Sequence, residues 1–301
     1  MKPSFLNPLS DPIFKQIFGR EKAILTDFIN AIIQPAIPVV DLEYLPLELA
    51  PDDPGDKIPI VDVRCMDEQK RQFIVEIQVA NHPFLKERML YYASKSYGRQ
   101  LTRGQKYQDL QNVYHLTLLN FTIQKKDETW LHRYQISNIE NPGDRINGIE
   151  LVFLEIDKCR KLGNFNSGSL FDLWITFLTE PEKLLEMYKH KLKEYPNLKK
   201  AVELLDESKY TAAQLAAHDR YLDSIYTWNT CVVYNYDNGF DNGFDNGFNN
   251  GLQKGEELGV DKGLSKAALI IKELRLNQKT EEQIAADFNV SLDTIRELKG
   301  L

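Results

Sequence analysis

Three cysteines, Cys65, Cys159 and Cys231, stand far apart in this 301-residue chain, and no Cys-x-x-Cys pair occurs. That spacing supports neither a disulfide framework nor a zinc site. The five histidines, His82, His115, His132, His190 and His218, are equally scattered and form no local metal-ligand pattern. No stretch approaches the roughly 20 apolar residues that span a bilayer, and Met1-Lys2-Pro3-Ser4-Phe5 lacks the apolar segment of a secretion signal, so the expectation is a cytoplasmic protein without a membrane partner. An excess of positive charge is missing too. The net charge of −7 argues against non-specific coating of nucleic acid, while leaving room for a local basic stripe.

What is present is an ordinary core composition, 43% hydrophobic, enough for one sizeable core and a smaller second domain. Residues 11–33 read as one helix, with Ile13, Ile17, Ile24, Phe28 and Ile32 at helical spacing and Asp11-Pro12 as N-cap and first-turn proline. Residues 39–49 read as extended. Pro51-Asp52-Asp53-Pro54-Gly55-Asp56 reads as a turn-rich loop. A further helix is expected from Pro83 to about Leu101. Strands are expected over Val113–Ile123, Trp130–Ile136 and Ile149–Ile156, then helices from Leu170 to about Tyr234. The fold class is α/β, a mixed sheet flanked by helices, followed by a helical region. The expected domains are 1–165, a helical subdomain over 166–236, a glycine-repeat segment over 237–264 and a two-helix cap over 265–301.

In that repeat glycine recurs every fourth residue from Gly239 to Gly263. On a helix this makes a small-residue seam, but each glycine costs about 1 kcal/mol relative to alanine. A tether and a packed helix in a homo-oligomer both remain open. At the end, Thr280-Glu281-Glu282-Gln283 is a capping box, and the two short helices that follow read either as a helical cap or as a helix-turn-helix with a charge-mixed last helix.

The densest chemistry lies in two successive strand-like runs, Ile58–Met66 and Gln72–Ala80, joined by the polar turn Asp67–Arg71. With Gln69 at the centre of the turn, Asp62 falls opposite Glu76 on one face, with Cβ atoms roughly 5 Å apart. Gln78, two residues on, returns to the same face. Two like charges at that range repel unless one is protonated or a cation lies between them. Magnesium or manganese suits such oxygen ligands. A solvent-exposed outer face of a hairpin would show the same spacing. After the hairpin, Arg88, Tyr92, Lys95, Arg99 and Arg103 recur along one side of a helix. Next to a metal-holding face, that stripe suits the phosphates of a nucleic acid.

Several segments in order resemble the Rpn family of recombination-promoting nucleases, within the wider PD-(D/E)XK nuclease superfamily. They are Asp11–Gly19, Val61–Arg64, Ile74–Val79, Lys86–Tyr92, Gly104–Tyr107 and Phe153–Lys158, roughly the first half of the chain, and the glycine-rich tail is also similar. The resemblance implies a DNA endonuclease dependent on Mg2+ or Mn2+, with Asp62, Glu76 and the Ile77 carbonyl as metal ligands. It puts Gln78 where the superfamily has lysine, and places Lys15 and Tyr92 as accessory residues. Arg88, Lys95 and Arg99 are the expected phosphate contacts. Glu155 lies in a matching segment but is assigned to strand-end structure.

Overall fold

The computed structural model describes residues 5–49, 58–162, 165, 167–276 and 278–300, without the side chains of 228, 229, 232–253, 255–258, 260, 261 and 264. The Pro51–Asp56 loop therefore lies outside the described residues. Two compact units divide the chain, Met1–Asn229 and Thr230–Leu301.

The first unit is built on a six-stranded mixed sheet in the order β1-β2-β3-β4-β6-β5. Its strands are β1 (Leu42–Tyr44), β2 (Val63–Asp67), β3 (Gln72–Gln78), β4 (Val113–Leu119), β5 (Leu131–Ser137) and β6 (Arg145–Glu155). The pairs β3–β4 and β4–β6 are parallel and the others antiparallel. Parallel strands need a crossover, and α3 (Leu85–Gly98) supplies it between β3 and β4. All seven residues of β4 are buried, the pattern of a central strand covered on both faces. β6 begins four residues earlier than its apolar run, because Arg145 and Ile146 continue the pairing with β5 past a register shift.

Strand alternation sorts the two faces. Val63, Cys65, Phe73 and Val75 join a core with α1 (Asp11–Phe18), α2 (Lys22–Ile32) and α5 (Leu170–Thr179). Ile74 and Val113 face the other way, against Met89 and Ala93 of α3. Further helices are α4 (Ile156–Leu162), α6 (Pro181–Met187) and α7 (Pro196–Glu203). The α5 segment belongs to the same core as the sheet, where Trp174 packs on Phe28 at 5.2 Å and donates to Asp27 at 3.0 Å. α8 (Ala212–Leu276) is one helix whose course includes the glycine repeat, and the repeat's side chains lie outside the described residues. α9 (Glu281–Phe288) and α10 (Leu292–Lys299) close the second unit around Ile270, Ile284 and Ile295. Thr280 and Gln283 form the capping box read from sequence. Among the described residues no helix is long and apolar enough to cross a membrane.

Three expectations are corrected. Residues 11–33 are two helices, because the chain turns at Gly19, where a Cβ would meet the Lys15 carbonyl oxygen at 2.6 Å. The turn lets Phe18 stack on Phe28 at 4.6 Å, whereas ten residues of unbroken helix separate side chains by about 15 Å. Asp11 is the first helical residue, and the N-cap is Ser10. The runs 39–49 and 58–66 are only partly strand. β1 covers three residues and β2 starts at Val63, with a single bridge, Glu48 to Ile60, before it.

The β2–β3 turn is held by a buried ion pair. Arg71 Nε and Nη2 both reach Asp67 Oδ2 at 2.6 Å, and Nη1 donates to the Ile37 carbonyl at 2.7 Å. Removing one partner strands a buried charge. Arg71→Ala is therefore expected to destabilise the protein by about 3 kcal/mol, seen as a lowered urea midpoint at constant m-value; an unchanged midpoint would mean that the backbone bonds of the turn suffice.

Candidate active site

The hairpin register is the one that a turn centred on Gln69 requires: Val63 pairs with Val75 and Arg64 with Ile74. Asp62 lies one residue outside β2, in a bend, and one step beyond the last pair. With the ladder ended there, Asp62 Oδ2 accepts from the Ile77 N–H at 2.9 Å. From α1, Lys15 Nζ stands 3.6 Å from Asp62 Oδ1 and 2.7 Å from Asp11 Oδ1. Burial raises the Asp62 pKa, against the Ile77 hydrogen bond and the charge of Lys15. On Lys15, burial pulls down, but the Asp11 hydrogen bond and the charges of Asp11 and Asp62 outweigh it and hold the ammonium above its ordinary value.

Glu76 is more extreme. It is 3% exposed, Oε2 accepts from Gln78 Nε2 at 3.1 Å, and Oε1 has no hydrogen-bond partner among the described residues. Burial first, and the Asp62 charge second, push its pKa up to about 8. Gln78 spends both ends of its amide: Arg88 Nη2, from the start of α3, donates to its Oε1, which turns the NH2 toward Glu76. A guanidinium is thus relayed through an amide to the buried carboxylate.

Behind Glu76 lie two residues of β4 whose role was not visible in the sequence. Parallel pairing sets Thr117 beside Glu76 and His115 beside Ile74. His115 is fully buried. Its Nδ1 donates to the Met89 carbonyl at 3.2 Å, leaving a bare Nε2 4.0 Å from Glu76 Oε2. Burial drives its pKa down to about 4, so the ring is neutral near pH 7 and this contact is no ion pair. Tyr92 stacks on His115 as a packed ring, 6.4 Å between centroids. Tyr221 of α8 also belongs to this neighbourhood. Its phenol pKa is raised by burial, with a bond from the Asp11 backbone and the charges of Asp62 and Lys15 acting on it.

The basic stripe does not gather at one point. Arg88 touches the carboxylate network, but Lys95 is 9% exposed with its ammonium 5.8 Å from the Tyr91 ring centroid. Arg99 caps the far end of α3, about 16 Å along the axis from Arg88 at 1.5 Å per residue. Glu155 lies apart from these groups, fully buried, accepting from Ile123 N–H at 2.9 Å and contacting His132 at 2.6 Å and Lys158 at 3.1 Å.

Among the described residues no three His, Cys, Asp or Glu side chains are grouped as a metal cluster. Two carboxylates and a backbone carbonyl still fit a magnesium-like ion, which commonly takes one or two carboxylates and fills its other positions with water and phosphate. The unpartnered Glu76 Oε1, buried and aimed away from its one hydrogen bond, is the donor atom such an ion would satisfy.

The family model for the PD-(D/E)XK nuclease family transposase matches residues 8–234. No curated protein and no solved structure matches the chain.

Glu76 also makes stability depend on pH. Its folded pKa, about 8, lies above the ordinary 4.5, so the folded state keeps a proton that the unfolded chain releases. Without metal, stability is expected to fall as pH rises from about 4.5 to about 8. Urea unfolding in EDTA across that range checks this: Glu76→Gln should flatten the slope, and an equal slope in the variant would assign it to other groups.

Proposed function

Because this chain belongs to the PD-(D/E)XK nuclease family of transposases, we propose that it is a divalent-metal-dependent DNA endonuclease with Asp62 and Glu76 as its metal-holding carboxylates. The observation that supports this best is the buried Glu76 carboxyl on β3, which has one oxygen unpartnered among the described residues and feels the charge of Asp62. The Ile77 carbonyl is the expected third oxygen. A bound Mg2+ or Mn2+ supplies charge neutralisation and Lewis acidity at the scissile phosphate.

The chain's own residues do the rest. Arg88, acting through Gln78, orients the Glu76 carboxylate and places positive charge beside it. Gln78 carries no charge of its own, so it cannot stabilise an oxyanion as lysine does. Lys15 can. Its ammonium stands beside Asp62, arriving from α1 rather than from β3, and its raised pKa keeps it charged at neutral pH. We assign it the stabilisation of charge that develops on the phosphate oxygens. Asp11 and Asp62 hold it in place.

A second reading, a DNA-binding or assembly protein on a nuclease fold that no longer cuts, draws on Gln78, both ends of whose amide are already engaged. Cleavage of plasmid DNA in magnesium, manganese or EDTA separates the two. The nuclease reading expects cation-dependent nicking, its abolition in Asp62→Asn and Glu76→Gln, and a loss of about 100-fold in kcat for Lys15→Ala. Equal nicking by wild type and Asp62→Asn would remove this site from the reaction. DNA binding with no cleavage under any cation would favour the second reading.

A further inference from the structure

The carboxyl ends of the parallel-paired strands β3, β4 and β6 meet at one edge of the sheet, at Gln78, Leu119 and Glu155. In open α/β sheets ligands bind outside the carboxyl ends of such strands. Asn120, the first residue beyond β4, donates its N–H to the Gln78 carbonyl at 2.9 Å. Its Oδ1 accepts from Arg160 Nη1 of α4 at 2.6 Å. Arg160 is thus joined to the backbone of Gln78 through one asparagine.

The neighbouring charges of this edge are matched. Asp157 is held by Lys161 at 2.7 Å and by the Thr122 hydroxyl at 3.1 Å. Glu155 has Lys158, His132 and the Ile123 N–H, and Lys158 also donates to the Thr129 carbonyl at 2.8 Å. These bonds tie residues 122, 123 and 129 to the end of β6 and the start of α4, so the chain leaving β4 and the helix carrying Arg160 are fixed together. Arg160 itself is exposed, and among the described residues it has one neutral acceptor and no ion-pair partner. One bond to an amide oxygen aims a guanidinium without neutralising it, and the fork that remains suits the oxygens of a phosphate.

We propose that Arg160 binds a backbone phosphate of the DNA strand that is cut at Asp62 and Glu76, flanking the scissile phosphate. This rests on the nuclease reading and adds to it a second point at which the strand is held. One strand spacing, about 4.8 Å, separates Asn120 from Gln78, and Glu76 lies about 7 Å back along β3 at 3.3 Å per residue. The phosphate that Arg160 meets is therefore close to the cut. A single exposed guanidinium is a weak trap for a free phosphate ion. A polymer already held at the carboxylates brings its neighbouring phosphate to it at high effective concentration.

The test is the salt dependence of binding by the full-length protein to a fluorescent DNA duplex in EDTA, read by anisotropy, beside the kinetics of plasmid nicking in magnesium. A phosphate contact adds about 0.9 to the slope of log K against log salt. Arg160→Gln should lower the slope by about one and raise KM roughly tenfold at an unchanged kcat, the mark of lost ground-state binding. Arg160→Lys should keep the slope, which separates charge from folding. Lys161→Gln removes the same charge one residue away, from a side chain already spent on Asp157, and should leave slope and KM as in wild type. An unchanged slope and KM in Arg160→Gln overturn the inference, and so do equal losses in Arg160→Gln and Lys161→Gln, which would report net charge alone. Calorimetric binding of inorganic phosphate that disappears in Arg160→Gln while the DNA slope stays the same marks a free-phosphate site and overturns it too. If wild type neither binds nor nicks DNA under any cation, the nuclease reading fails first and takes this one with it. Nicking by wild type with no effect of Arg160→Gln removes this inference alone.

Discussion

A carboxyl group that is nine-tenths or more buried beside a second carboxylate must be protonated, paired or bound to a cation, and the first unit is organised around that constraint at Glu76. Its position near the end of β3 is fixed by parallel pairing with Thr117 of β4, one residue past the last antiparallel pair with β2. The compensation it receives is partial: one bond from Gln78, the charge of Arg88 behind that bond, and Lys15 at the neighbouring Asp62. Among the described residues one of its oxygens has no partner, whereas the other buried carboxylates are well matched. Asp67 is clasped by Arg71, and Glu155 has three partners. The contrast sets carboxylates that complete the architecture apart from Glu76, the one to which a cation ligand role is proposed.

The lysine position of the superfamily, read as Gln78 from the resemblance, gives this chain its particular character. In place of one flexible ammonium on β3 the structure has two cations from different elements. Arg88 acts through the amide and Lys15 acts directly beside Asp62. Since α1 is anchored by Phe14 and Phe18 in the core shared with the sheet, the placement of Lys15 depends on the packing of the N-terminal helices. Catalytic charge and core packing are thereby coupled in the proposed enzyme.

Much of this was legible in the sequence for a definable reason. A hairpin's register follows from the centre of its turn, so the pairing of β2 with β3 could be read from local spacing, and a period of two then sorts the side chains to faces. Helical spacing put Arg88, Lys95 and Arg99 on one stripe, but spacing does not say what covers a stripe, and Lys95 is buried while Arg88 reaches the carboxylates. The approach of Lys15 to Asp62, and of His115 to Glu76, depends on packing between elements far apart in the chain and on a parallel pairing that no local pattern specifies. The break at Gly19 was missed because the apolar positions on either side of it keep helical spacing across the turn.

Calorimetric titration of the metal-free protein with Mn2+, without DNA, tests the central claim most directly, because it asks whether Asp62 and Glu76 hold a cation before any reaction takes place. The account predicts saturable binding by wild type that is lost in both Asp62→Asn and Glu76→Gln, while each variant still unfolds cooperatively. Identical binding isotherms for all three proteins, or no binding by wild type, would contradict it.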